Sequence, residues 1–158
     1  MTARMMDGKA LAERIREKVA TDVAELGDPV SLATVLVGDD PASAVYVRHK
    51  HKACSESGIK SVHHALESDT RESDLLDLIS ELNIDLSVTG ILVQLPVPNQ
   101  IREESVIRSI APRKDVDGLH PANAGQLFQG EPTLLPATPA GIMELLLAYD
   151  VELEGTKA

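Results

Sequence analysis

The chain has 158 residues, 43% hydrophobic and only 2% aromatic, with 15 basic against 25 acidic side chains and a formal net charge of -10. That length fits one ordinary domain, able to bury roughly 70% of the surface its unfolded form exposes, and the acidic balance, with no cluster of five Lys and Arg, argues against a nucleic-acid partner. A single cysteine, Cys54, excludes an internal disulfide, the amino terminus lacks the apolar core of a signal peptide, and no apolar run approaches the ~18 residues of a membrane span, so no membrane partner and a cytoplasmic protein are expected.

Apolar residues at 10, 11, 15, 19, 23 and 26 recur at helical spacing, with Asp7 as a cap and Gly27 as a stop, and predict a first helix over 7–26. "VSLATVLVG" is a nearly unbroken apolar run, the pattern of a strand covered on both faces. In "DDP" Asp40 can cap and Pro41 suits a first helical turn, so a helix is predicted from there to Gly58. "IKSVHHAL" has strand character, "RESDLLDLISELN" is an amphipathic helix, and "VTGILVQLPVP" is a second buried strand stopped by Pro96 and Pro98. A short helix over 103–110 follows, then a polar loop, "APRKDVDGLHPANAGQL", with a weak helix around 122–128. "TPAGIMELLLAYD" closes as a helix capped by Thr138, and "VELEGTKA" resembles the approach to another strand. Strict alternation predicts an α/β fold, three-layer, with a mostly parallel sheet flanked by helices. Ligands of such sheets bind beyond the carboxyl ends of the strands, where the "GDDP" turn and Gln94 fall.

Helical spacing puts Lys50 beside Tyr46, Val47, Ala53 and Cys54, a face expected to turn away from water, while Arg48, Lys52 and Glu56 point outward. The lysine's stem could simply pack there while its head reaches solvent. Alternatively it is held in a partly dry pocket, where a lysine can give or take a proton near neutral pH. Ser43 and Tyr46 on the same face favour a cleft. Gln94 interrupts an apolar strand and needs partners for its amide, either neighbouring backbone or the Lys50 ammonium. In "KDVDG", Asp115 and Asp117 could be solvated turn carboxylates, and as a calcium loop the segment fails, with His120 and Gln126 at the positions of the glycine and the closing glutamate. The histidines at 49, 51, 63, 64 and 120 have no spacing that gathers a metal set, and none is expected. Tyr46 and Lys50 match a Tyr-x-x-x-Lys dehydrogenase pair, but the ten glycines contain no G-x-G, so the chain has no dinucleotide fingerprint of its own.

Together, "VLVGDDPASAVYVRHKHKACSESGI", "GILVQLPVP", "PRKDVDGLHPANAGQL" and "PATPAGI" resemble the folate-binding domain of the bifunctional methylenetetrahydrofolate dehydrogenase/cyclohydrolase family, in order, spacing and wording over nearly the whole chain. The resemblance implies that Tyr46 lies against the pterin and aminobenzoyl rings, that Lys50 is the catalytic base or proton donor, and that Gln94 bonds and tunes that lysine. It also implies that Asp117 grips the pterin, with Ser43, Val93 and Leu95 among the substrate-binding residues. The reaction it implies is oxidation of 5,10-methylenetetrahydrofolate with NADP, followed by hydrolysis to 10-formyltetrahydrofolate, in the one-carbon metabolism that feeds purine and amino-acid biosynthesis.

Two departures stand out. Ala137 occupies the place of the family's usual cysteine, and the family continues into a Rossmann-like NADP domain where this sequence stops. The expected organisation is therefore a folate-binding catalytic domain over 1–137 and an interdomain helix with the start of the cofactor domain over 138–158. No cofactor-binding residue is expected in this chain, and the full-length protein is expected to be a homodimer. A truncated, non-catalytic folate-binding or scaffold domain is the rival reading, and a flavodoxin-like module for another small ligand is a third.

Overall fold

The computed structural model describes residues 4–155. Helix α1, Gly8–Leu26, is capped by Asp7, whose carboxylate accepts from the Ala10 amide, and ends at Gly27 in the left-handed conformation that glycine tolerates. Strand β1, Ser31–Val37, leads into α2, Pro41–Glu56, and β2, Lys60–Leu66, is followed by α3, Glu72–Ile84. Strand β3, Gly90–Val93, precedes α4, Glu103–Ser109, and the chain ends in α5, Pro121–Phe128, and α6, Ala137–Ala148.

The three strands are parallel in the order β2-β1-β3, with Val35 opposite His64 on one side and Val93 on the other. One face of β1, Ala33, Val35 and Val37, joins Ile91 and Val93 of β3 against Leu75, Ile79 and Leu82 of α3 and Val106 of α4. The opposite face meets α2, where His51 reaches the fully buried Thr34. The result is three layers, α2 over the sheet over α3 and α4, with the apolar β1 run explained by burial on both sides.

Some boundaries differ from the sequence expectation. β3 stops at Val93; Gln94 still donates its amide to Val35 O at 2.8 Å, but Pro96 has no N–H to continue the ladder. The expected polar loop contains a 3₁₀ turn, Pro112–Lys114, followed by a bridge from Asp115 to Ile91 that lays this segment alongside β3. The turn is anchored by Lys114, a buried cation that donates to the carbonyls of Leu82 and Asp85 at the end of α3. Helix α6 begins at Ala137 rather than after a Thr138 cap; Pro139 is tolerated inside because first-turn amides have no intrahelical acceptor. Residues 151–155 form no strand, and the remainder of "VELEGTKA" lies outside the described residues. None of the apolar residues of α1 is buried, and in α6 Ile142, Met143 and Leu147 are exposed.

Candidate active site

Helix α2 is started by Asp40, whose carboxylate accepts from the Ser43 amide at 2.7 Å. Its inward stripe runs through Ser43, Val47 and Cys54, all buried, with His51 between them. Lys50 stands at the margin of that stripe, half-buried. Tyr46 departs from expectation: it is 63% exposed and not part of a face that turns from water. It precedes Val47 by one residue, about 100° around the helix, so burial of Val47 leaves Tyr46 over the rim. Ala53 is half-buried.

Lys50 Nζ donates to Gln94 Oε1 at 3.5 Å, while Gln94 Nε2 donates to its neighbour's carbonyl, Leu95 O, at 2.7 Å. Both partners foreseen for this amide, backbone and lysine, are thus used at once. Asp117 comes from the segment beside β3: Asp115 pairs with Ile91, and two residues further along the parallel segments are Asp117 and Val93. Its carboxylate makes no hydrogen bond among the described residues. Burial pushes it above the ordinary carboxylate range, the Lys50 charge pulls it back, and Asp115 adds a smaller push upward.

A cavity of about 540 Å³ is lined by Tyr46, Lys50, Gln94, Asp117, Leu119 and the stretch Pro136–Pro139. Tyr46, Lys50, Gln94 and Asp117 therefore meet on one concave surface. Val93 and Leu95 instead line a narrow cleft of about 10 Å³ that adjoins it and shares Asp117 and Leu119. Ser43 is 4% exposed and is not a wall of the cavity. The "PATP" wall was visible in the sequence as a proline-flanked helix start, but nothing in local pattern could fold it across from α2. It is seated by Gly118, at φ +65°, where an added Cβ would come within 2.9 Å of Leu135 C and Pro136 N.

Sequence pattern also gave no sign of Asn123. It is 3% exposed and its Nδ2 donates to both Pro112 O and Asp115 Oδ2, each at 2.9 Å. The same carboxylate oxygen accepts from the His120 amide at 2.7 Å. Among the described residues no group of three or more His, Cys, Asp or Glu side chains is arranged to hold a metal ion, and no helix is long and apolar enough to cross a membrane.

Residues 6–117 match the family model described as "Tetrahydrofolate dehydrogenase/cyclohydrolase, catalytic domain". A protein from Cenarchaeum symbiosum named Bifunctional protein FolD is 59% identical over 153 residues, 95% of this chain and 54% of its own length; one from Salinibacter ruber is 48% identical over 159 residues, 99% of this chain and 54% of its own. The chain thus spans about half the length of the curated relatives it matches. Among solved structures, the bifunctional FolD methylenetetrahydrofolate dehydrogenase/cyclohydrolase of Campylobacter jejuni superposes with a TM-score of 0.92 at 47% identity, covering 96% of this chain and 55% of that one. The Trypanosoma brucei methylenetetrahydrofolate dehydrogenase-cyclohydrolase, complexed with NADP cofactor and inhibitor, gives 0.94 at 34% identity, covering 98% and 55%. All four residues that meet on the cavity fall inside the matched span, and the chain belongs to the tetrahydrofolate dehydrogenase/cyclohydrolase family.

Proposed function

We propose that this chain supplies the folate half of an enzyme that oxidises 5,10-methylenetetrahydrofolate with NADP and hydrolyses the methenyl product to 10-formyltetrahydrofolate. The observation that carries the reading is the convergence of Lys50, Gln94, Asp117 and Tyr46 on one cavity large enough for a pterin and its aminobenzoyl ring. An unpartnered carboxylate such as Asp117 can accept two parallel N–H bonds from the pterin's 2-amino group and adjacent ring nitrogen. The exposed Tyr46 ring offers a face for the aminobenzoyl group.

NADP does not fit the residues present. The turn after β1 carries Asp39 and Asp40 where a diphosphate needs donors, and the sequence has no G-x-G. The cofactor is accordingly assigned to a Rossmann-like domain outside these residues, with 1–137 as the folate domain and 138–158 as the interdomain segment. The exposed apolar side chains of α6 support a further packing partner for that helix. A folate substrate, homodimerisation at full length and a cytoplasmic location belong to the same proposal.

In the hydrolytic step, a water oxygen bonds to the carbon bridging N5 and N10, and its proton passes to Lys50 Nζ when the amine is neutral. The bond from that carbon to N5 then breaks, N5 takes the electron pair and a proton from the Lys50 ammonium, and the hydroxyl proton leaves as the formyl C=O forms on N10. One proton is released overall. Gln94 Oε1 holds the amine in place between these transfers.

The test is hydrolysis of 5,10-methenyltetrahydrofolate by the 158-residue chain and by Lys50→Met. Loss of about 10²-fold or more in kcat on substitution supports the enzyme. Equal rates in both proteins, with a folate analogue still raising the melting temperature, would instead establish the non-catalytic binding domain.

A further inference from the structure

We propose that Asn123 is a positioning residue for folate: it sets the place of the Asp117 carboxylate without touching the ligand. The inference rests on the reading that Asp117 grips the pterin.

Asp117 sits in the segment between the 3₁₀ turn and α5, which has few ladder bonds of its own. Its amide contact to the sheet, Val116 N to Ile91 O, is long at 3.5 Å. What closes the segment is a buried polar knot. Both hydrogens of the Asn123 side-chain amide are engaged, one by Pro112 O and one by Asp115 Oδ2, so the start of α5 is tied to both ends of the 3₁₀ turn. Asp115 Oδ2 also takes the His120 amide, and Asp115 O takes the Gly118 amide at 3.2 Å. Residues 115–120 are thereby folded into a loop with Asp117 inside it.

Asn123 is 3% exposed and lines neither the cavity nor the cleft beside it, while Asp115, also 3% exposed, lines only the narrow cleft. A buried carboxylate and a buried amide are costly unless every group is satisfied, and here they satisfy one another beside Asp117, whose carboxylate makes no hydrogen bond among the described residues. Truncating Asn123 leaves the Asp115 carboxylate with a single donor, the His120 amide, and Pro112 O with only the Asp115 amide, long at 3.4 Å. The loop then relaxes and the Asp117 carboxylate loses its fixed place, while the Lys50–Gln94 pair, held by α2 and β3, is untouched.

The test is steady-state hydrolysis of 5,10-methenyltetrahydrofolate by wild type, Asn123→Ala, Asn123→Ser and Asp117→Ala, each with a melting curve. Asn123→Ala is expected to raise KM about tenfold with kcat within about threefold, because a misplaced grip weakens binding in ground and transition state alike. Asn123→Ser, which keeps one donor, is expected to fall between and serves if the alanine variant does not fold. A second readout separates positioning from general loosening: affinity for a folate analogue with methyl in place of the pterin 2-amino group. The Asn123 variants should lose clearly less affinity for this analogue than for the parent ligand, since one of the two bonds that Asn123 positions is already absent.

A KM rise in Asp117→Ala with none in a folded Asn123 variant overturns this inference and leaves the proposed function standing. No KM rise in either overturns the Asp117 grip as well. Equal losses for the parent ligand and the analogue overturn positioning in favour of a purely structural amide.

Discussion

Lys50 and Gln94 face each other with the amide held the right way round. Because Gln94 Nε2 is engaged by Leu95 O at 2.7 Å, its oxygen is the atom left to meet Lys50 Nζ at 3.5 Å. An amide oriented by backbone needs no help from the ligand to present its acceptor, so the amine is placed before substrate arrives. Gln94→Glu removes the donor to Leu95 O and adds a negative charge that holds the amine as an ammonium. Hydrolysis in Gln94→Glu is therefore expected to slow by more than the roughly tenfold expected for Gln94→Ala, with kcat as the measurement; a glutamate variant as fast as wild type would show that orientation of the acceptor is immaterial.

Tyr46 separates binding from stability cleanly. With 63% of its surface exposed, the ring contributes little to the folded chain, and Tyr46→Ala should change stability by no more than about 0.5 kcal/mol. The same change removes an aromatic face from the cavity and should weaken a folate analogue about fivefold to tenfold, the scale of one ring pair. Tyr46→Phe should keep most of that affinity. Calorimetric titration of the three proteins decides the matter, and equal loss in the phenylalanine variant would assign the effect to the hydroxyl instead.

Asp117 ties a pH effect to the site. Its folded pKa is raised above the ordinary 3.8, chiefly by burial, so the native state favours the protonated acid more than the unfolded chain does. Such a group lends stability fully below 3.8 and loses it as pH rises through the folded value; at neutral pH the bare carboxylate is a cost. Asp117→Asn should thus raise the melting temperature of the ligand-free chain at neutral pH, the gain shrinking as pH falls toward 3.8, while weakening folate binding. Melting curves with and without a folate analogue report both signs, and a variant less stable than wild type at neutral pH would contradict the burial cost.

The strands were legible because burial on two faces leaves an unbroken apolar signature in "SLATVLV" and "GILV". The site was legible only in part. Lys50 and Gln94 announced themselves as polar groups in apolar surroundings, but the exposure of Tyr46 depended on which arc of α2 the sheet covers. That arc is fixed by Thr34 and His51 rather than by periodicity within the helix. Asn123 was invisible for a further reason: an asparagine early in a short helix looks like many others, and its partners lie eight and eleven residues back along the chain. Hydrogen bonds closed through a 3₁₀ turn leave no spacing to read.

The same Thr34 contact yields the last prediction. Thr34 Oγ1 lies 3.1 Å from His51 Nε2 and 3.1 Å from His63 Nδ1, and the two rings meet edge to face with centroids 5.2 Å apart. The hydroxyl has one hydrogen, so at least one ring nitrogen must donate to it, and protonating both rings would put two cations in contact across α2 and β2. Burial, and then His63, lower the pKa of His51 below 6.5. The folded chain therefore holds His51 neutral where the unfolded chain takes a proton, and this contribution is complete above 6.5 and lost as pH falls through the folded value. Glu72, held down to about 2 chiefly by its Arg102 hydrogen bonds, contributes in the opposite pH region, losing its share only between 4.5 and about 2. Melting temperature should decline between about pH 7.5 and 5.5 more steeply in wild type than in His51→Asn, which can still bond Thr34 but cannot titrate there. Charges elsewhere act on both proteins alike and cancel in the comparison. Parallel slopes would mean that the His51 proton is not coupled to folding, and with it that the anchoring of α2 beside Lys50 is insensitive to acid.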